Sequence, residues 1–223
     1  LLSDGVGKKL LVLGQLAVQH FAAAELRTIA YWMSLHCDVQ VAVLPEANSA
    51  AGWLAGCIPH RGVNNQPIER PGRNASAIAQ EALSACVLFG LEPFLDYASP
   101  VSLDRALSGV EFVLSFSAFR SAVPSAANIV LPLTPFTENS GTFVNLEGKQ
   151  QFSTPAATPK GQSRPGWKIL RVLGNLLGLK GFEYVDVHEV TREVSIPDAE
   201  TLYQLNASIV VPTQATEVNK NQI

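Results

Sequence analysis

Two short apolar runs, Leu10-Leu11-Val12-Leu13-Gly14 and Val39-Gln40-Val41-Ala42-Val43-Leu44-Pro45, bracket the stretch that decides the architecture. The first is continuous and ends at glycine, as expected of a strand buried on both faces. The second is rich in β-branched residues and stops at Pro45. Between them Ala22, Leu26, Ile29, Ala30, Met33 and Cys37 recur at helical spacing, which predicts a helix from Leu16 to Cys37. Phe21 and Trp32 widen that stripe, so the helix is expected to be covered on most sides. Strand, helix and strand in this order make a βαβ unit with parallel strands and a right-handed crossover.

The same grammar runs outward. A short helix is expected at 50–56, an irregular Pro-, Asn- and Gly-rich stretch over 59–74, and a helix over 75–83. Ala85–Phe89 reads as the third strand, Ser102–Leu107 as a helix, Glu111–Phe116 as the fourth strand and Asn128–Leu131 as the fifth. Beyond Pro132 the pattern changes to extended chain over Thr142–Gln151 around a Glu147-Gly148 turn. Pro155, Pro159, Gly161 and Pro165 follow as a linker, and Ile169, Leu170, Leu173, Leu176 and Leu177 then mark one face of a helix. The fold class is therefore α/β, a doubly wound, mostly parallel, Rossmann-like sheet with an extended excursion and a helix after it. Residues 1–155 are expected to form the α/β domain, 156–195 a linker and packing helices of the same unit, and 196–223 a surface-wrapping or flexible tail.

Composition narrows the function. Of 223 residues, 47% are hydrophobic and 16% charged, against about 25% charged in an average domain. A surface so poor in charge favours a chain partly covered by partners. The net charge of −3 argues against nucleic acid, which demands a basic stripe. No apolar run reaches the roughly 18–20 residues of a membrane span. The opening Leu1-Leu2-Ser3-Asp4-Gly5 has neither an initiator Met nor a signal-peptide pattern, so the chain is expected to be a piece of something longer. Cys37, Cys57 and Cys86 are scattered, with no C-x-x-C, and read as core thiols in a reducing compartment, not as metal or cluster ligands.

Catalytic templates fail one after another. His188-Glu189-Val190-Thr191-Arg192 has arginine where a zinc clamp needs its second histidine, and reads as a solvated helix face. Gly5-Val6-Gly7-Lys8-Lys9 precedes its strand instead of following it and lacks the spacing of a phosphate-binding loop. Gly14 opens a helix but lacks the further glycines of a dinucleotide fingerprint. No G-x-S-x-G elbow occurs. His20, His36 and His60 stand alone, and the sequons at Asn74 and Asn206 lack any sign of secretion. The strand ends offer only the isolated carboxylates of Glu46, Glu92 and Glu138, a set without nucleophile or oriented base. No catalytic residue and no metal ligand is expected.

One segment is specific. Asn128-Ile129-Val130-Leu131-Pro132-Leu133-Thr134-Pro135-Phe136-Thr137-Glu138-Asn139-Ser140-Gly141-Thr142-Phe143-Val144-Asn145-Leu146-Glu147-Gly148-Lys149-Gln150-Gln151 resembles the signature of the molybdopterin oxidoreductase superfamily. More narrowly, Leu133–Glu138, Arg164–Asn175 and Leu44–Ser49 are similar to the G-subunit family of NADH-quinone oxidoreductase, respiratory complex I. The resemblance covers roughly residues 8–180. It implies a carboxy-terminal part of a longer subunit whose amino-terminal region holds iron–sulfur clusters, and a scaffold lying among the other subunits of the peripheral arm. It further implies a cytoplasmic location at the inner side of the respiratory membrane, without direct membrane insertion. In catalytic relatives of the formate dehydrogenase and nitrate reductase type the corresponding stretch runs beside the pterin cofactor, which makes Gly141, Thr142, Asn145, Glu147, Gly148 and Lys149 vestigial cofactor-site candidates. Lys149 replaces the usual arginine, a point charge in place of a planar fork. A purely structural reading stands beside this one. Gly141 and Gly148 supply backbone conformations that other residues resist, and Asn145 bonds its own backbone in a turn. No bound cofactor is expected on this chain. The alternative is one wall of the cofactor cleft of a molybdopterin-dependent oxidoreductase.

Overall fold

The computed structural model describes residues 7–44, 46–97, 99–145 and 147–195. Pro45, the expected stop of the second strand, lies outside them, as do the expected tail and the sequon at Asn206. The elements run β1 (Lys9–Leu13), α1 (Gln15–Val18), α2 (Ala23–His36), β2 (Val39–Val43), α3 (Ser49–Leu54), α4 (Ala75–Ile78), β3 (Ala85–Phe89), α5 (Pro93–Asp96), α6 (Pro100–Ser108), β4 (Phe112–Ser117), β5 (Ile129–Pro132), β6 (Gly141–Val144), β7 (Gln150–Ser153), α7 (Gly166–Leu176) and α8 (Val187–Arg192). Single 3₁₀ turns sit at Arg120–Ala122 and Phe136–Glu138, and a turn with Asn64 and Asn65 at positive φ occupies Val63–Asn65. The architecture is α/β, with two parallel sheets and one antiparallel hairpin. Contacts divide the chain into two units. One holds the described residues up to Ala50 with Asn145–Lys149, the other Ala51–Val144 with the described residues from Gln150 onward.

In the first unit β1 and β2 pair in parallel, Leu11 opposite Val41, with α2 packed on β2. The helix expected from Leu16 to Cys37 is broken. His20 explains the break, because its Nδ1 accepts the Ala22 N–H at 3.1 Å, a donor that a continuous helix would send to Val18. Nor is the helix covered on most sides. Ala30 alone on α2 is buried, while Trp32 is 55% and Phe21 97% exposed. Likewise β1 is not buried on both faces, since Leu10 is 63% exposed and Val12 also faces solvent. The physical reason is that a two-stranded sheet with one long helix has a single packed interface to offer.

In the second unit the strand order is β3-β4-β5, all parallel. Asn128 sets the register of β5: its N–H donates to Val113 O at 2.9 Å, and its Oδ1 accepts the Val113 N–H at 2.6 Å. Strand alternation splits β4 between two interfaces. Val113 joins Leu88 on β3 and Leu103 and Leu107 on α6 in the core cluster, while Phe116, fully buried, tilts against Phe89 with centroids 5.0 Å apart. Gly166 at the start of α7 comes so close that a Cβ would lie 2.4 Å from the Phe89 ring. The helix expected over 75–83 is a single turn, capped by Asn74 Oδ1 accepting from Ala77 N–H, with Glu81 paired to Arg73 beyond it. Of the expected core thiols, Cys86 packs against the core cluster, whereas Cys57 does not lie in a core. Cys57 is exposed in the loop after α3, and Cys37 and Cys86 are half-buried, burial pushing the Cys86 thiol up.

Gly56 and Gly52 form a natural contrast. Gly56 sits at φ 77°, where an added Cβ would lie 2.6 Å from the backbone carbon of Gly62, whereas Gly52 in α3 has open space. Gly56→Ala should lower stability by about 2–4 kcal/mol, and Gly52→Ala should raise it by about 0.5–1 kcal/mol. Urea denaturation midpoints of the two variants check both signs.

Candidate functional site

The hairpin β6–β7 carries the cofactor-site candidates. Gly141 and Thr142 lie on β6, with Gly141 opposite Ser153 and Thr142 opposite Phe152. Gly141 is not a position of special backbone. Positive φ is found at Gly148 (74°) but not at Gly141, and a Cβ at Gly141 would meet nothing nearer than 4.0 Å. An ordinary strand residue needs only the pleat there. Thr142 Oγ1 lies 3.2 Å from the Thr191 hydroxyl of α8, and the Phe152 ring stacks on His188 of the same helix at 4.4 Å.

Between the strands Asn145 organises the turn. Its Oδ1 accepts from Glu147 N–H at 3.0 Å and from Lys149 N–H at 2.8 Å, its own N–H donates to Lys149 O, and Gly148 N–H donates to Asn145 O. Glu147 and Lys149 are exposed. A pterin beside this turn would need hydrogen-bonding groups pointed at a ligand. The Asn145 amide oxygen is instead spent on the turn itself, the Thr142 hydroxyl meets Thr191, and Lys149 offers one ammonium where the family motif has a guanidinium fork.

The strand-end glutamates each bond within their own unit. Glu46 accepts from the side-chain amides of Gln15 and Gln19 in the first unit. In the second, Glu138 accepts from Lys160 N–H at 3.2 Å, and Glu92 precedes α5 with its N–H donated to Asp96. The histidines have structural neighbours. His36 stacks on Trp32 at 4.6 Å, and His60 meets Trp53 edge-on at 5.5 Å. The segment His188–Arg192 is a capped helix: Asp186 Oδ1 accepts from His188 and Glu189 N–H, and the Glu189 carboxylate accepts from Val185 N–H. Among the described residues no group of three or more His, Cys, Asp or Glu is placed to hold a metal ion, and no helix is long and apolar enough to cross a membrane.

A feature that no sequence template flags is a shallow groove of about 310 Å³ lined by Gly181, Glu183, Tyr184, Glu189, Arg192 and Glu193. Tyr184 donates to Glu193 Oε1 at 2.5 Å, and this bond, reinforced by burial and by the charges of Glu193 and Glu183, pushes the phenol up to about 12. Tyr184 and Glu193 belong to no common motif, so spacing alone carried no signal for them.

Comparison with known proteins places these features in a family. The family model of molybdopterin oxidoreductase matches residues 7–176. Over 89 residues the chain is 39% identical to the NADH-quinone oxidoreductase G subunit of Mycobacterium bovis, covering 38% of this chain and 11% of that protein. It is 42% identical over 66 residues to the mitochondrial NADH-ubiquinone oxidoreductase 78 kDa subunit of Candida albicans, covering 30% and 9%. It is 24% identical over 144 residues to the alpha subunit of the F420-dependent formate dehydrogenase of Methanocaldococcus jannaschii, covering 64% and 20%. The matched stretches thus span at most a fifth of these relatives' own length.

Two outcomes follow from the geometry. Asn145→Ala strips two backbone donors of their acceptor and should cost on the order of 1–2 kcal/mol, whereas Gly141→Ala should be neutral or slightly stabilising; thermal unfolding of both variants tests this. The Tyr184 bond holds the protonated phenol, whose unfolded value is near 10. Its stabilisation is therefore complete below pH of about 10 and lost as pH rises through about 12. Absorbance titration of tyrosinate should show one late-titrating phenol that moves back toward 10 in Glu193→Gln.

Proposed function

The chain belongs to the molybdopterin oxidoreductase family, and from that membership we propose that it serves as a non-catalytic scaffold within a G-type subunit of NADH-quinone oxidoreductase. Electron transfer from NADH to quinone is then the work of the whole complex, over iron–sulfur clusters held in other parts of that subunit. The partners are the other subunits of the peripheral arm, at the cytoplasmic face of the respiratory membrane. The observation that carries this reading is the self-contained turn at Asn145, whose amide oxygen serves the chain's own backbone where a cofactor wall would need groups directed outward. The names of two of the three relatives above point the same way. So does the apolar outer surface of α2 and β1, where Ile29, Trp32, Leu35 and Leu10 are exposed, a composition suited to cover by other protein.

The formate dehydrogenase relative covers the larger share of the chain, 64%, and so favours the second reading, a wall of a pterin cleft. Two measurements separate the readings. Titration with guanine nucleotides or a pterin should leave the melting temperature unchanged, since a ligand binding only the folded state would raise it with saturation. A tagged chain expressed with peripheral-arm subunits should recover them, and Trp32→Glu should cut that recovery at least tenfold, equivalent to about 1.4 kcal/mol of binding. A saturable thermal shift abolished by Lys149→Ala, with no subunit recovered, establishes the cleft reading instead.

A further inference from the structure

The irregular stretch between α3 and α4 contains two consecutive residues in the left-handed region, Asn64 and Asn65, each at φ 57°. Asparagine tolerates that region better than most residues, but two in succession persist only where surrounding contacts hold them. Asn64 makes such contacts. Its Nδ2 donates to Glu193 O at 3.2 Å and its Oδ1 accepts the Ser195 N–H at 2.6 Å, across sequence separations of 129 and 131 residues. One side-chain amide thus reads the carbonyl of one residue and the N–H of the residue two further on, as a neighbouring strand would. Glu193 is also the carboxy-terminal cap residue of α8, and its carboxylate accepts the Tyr184 hydroxyl. The point where α8 ends is held by its side chain through Tyr184 and by its backbone through Asn64.

We infer that Asn64 is a conformational latch, clamping the Glu193–Ser195 backbone to the Val63–Asn65 turn so that its release frees this segment while the β3-β4-β5 sheet stays folded. Glu193 and Ser195 are exposed and Val194 is only partly buried, so packing contributes little to holding the segment. The backbone strain at Asn64 and the two bonds of its side chain belong to one arrangement. Asn65 shares the backbone conformation but its Oδ1 has no hydrogen-bond partner, which makes it the internal control.

Amide hydrogen exchange on the full chain tests the latch. Asn64→Gly adopts φ 57° without a Cβ penalty, so the turn is retained and only the clamp is removed. Exchange at Ser195 should accelerate at least about tenfold, with β4 amides unchanged within about twofold. Asn64→Asp keeps the acceptor for Ser195 N–H but loses the donor to Glu193, and should fall between the two. Asn65→Gly should leave Ser195 protected. Unchanged exchange at Ser195 in Asn64→Gly, equal acceleration throughout β4, or release by Asn65→Gly as large as by Asn64→Gly would each overturn the proposal.

Discussion

The second unit depends on β4 having a neighbour on each side. A central parallel strand must place every backbone N–H and C=O in a ladder, and it can do so only if two other strands arrive in register. β3 supplies one ladder from Ala85 to Phe89 and β5 the other from Ile129. The same position buries β4 on both faces from Val113 to Ser117, with Val113 and Phe116 each at 0% exposure but serving opposite interfaces. Parallel pairing then forces the chain to leave one end of the sheet and return to the other, and α6 fills the longer of these crossings with Leu103 and Leu107. Even Gly166 follows from this: α7 approaches until no side chain fits between its first residue and Phe89.

The hairpin obeys a local constraint. Reversal of the chain between β6 and β7 leaves backbone donors that no strand can satisfy, and Asn145 takes two of them with one oxygen. Gly148, at positive φ, completes the reversal. The turn of a segment whose wording matches a cofactor-lining motif is thus closed by its own hydrogen bonds. The substitution of a lone ammonium at Lys149 for a bidentate fork is consistent with a motif kept for its shape.

The two units also distribute apolar surface differently. The second buries a cluster around Leu88, Leu107 and Val113. The first presents Leu10, Trp32 and Leu35 outward. Sequence spacing placed Trp32 on the α2 stripe and Leu10 in an apolar strand run, but a pattern of apolar positions says that a face is to be covered without saying by what. For that reason the expectation of a helix covered on most sides failed where the chain's own elements offer one interface, and scattered cysteine spacing likewise did not reveal that Cys57 is exposed.

By itself the sequence determined which segments become strands. Ala85–Phe89 appears as read, and Glu111–Phe116 and Asn128–Leu131 each appear shifted by one residue. Strand propensity and alternation are properties of neighbours in the chain, so they survive without knowledge of the fold. The Asn145 turn was legible for the same reason. The break at His20 is local, a bond with the backbone two residues on that apolar spacing does not reveal. The division of the parallel strands into a pair and a triplet, and the meeting of Asn64 with Ser195 and of Tyr184 with Glu193, were decided only by tertiary structure. Each depends on which atoms folding brings within hydrogen-bond reach, and Asn64 and Ser195, 131 residues apart, have no local pattern that could announce their contact.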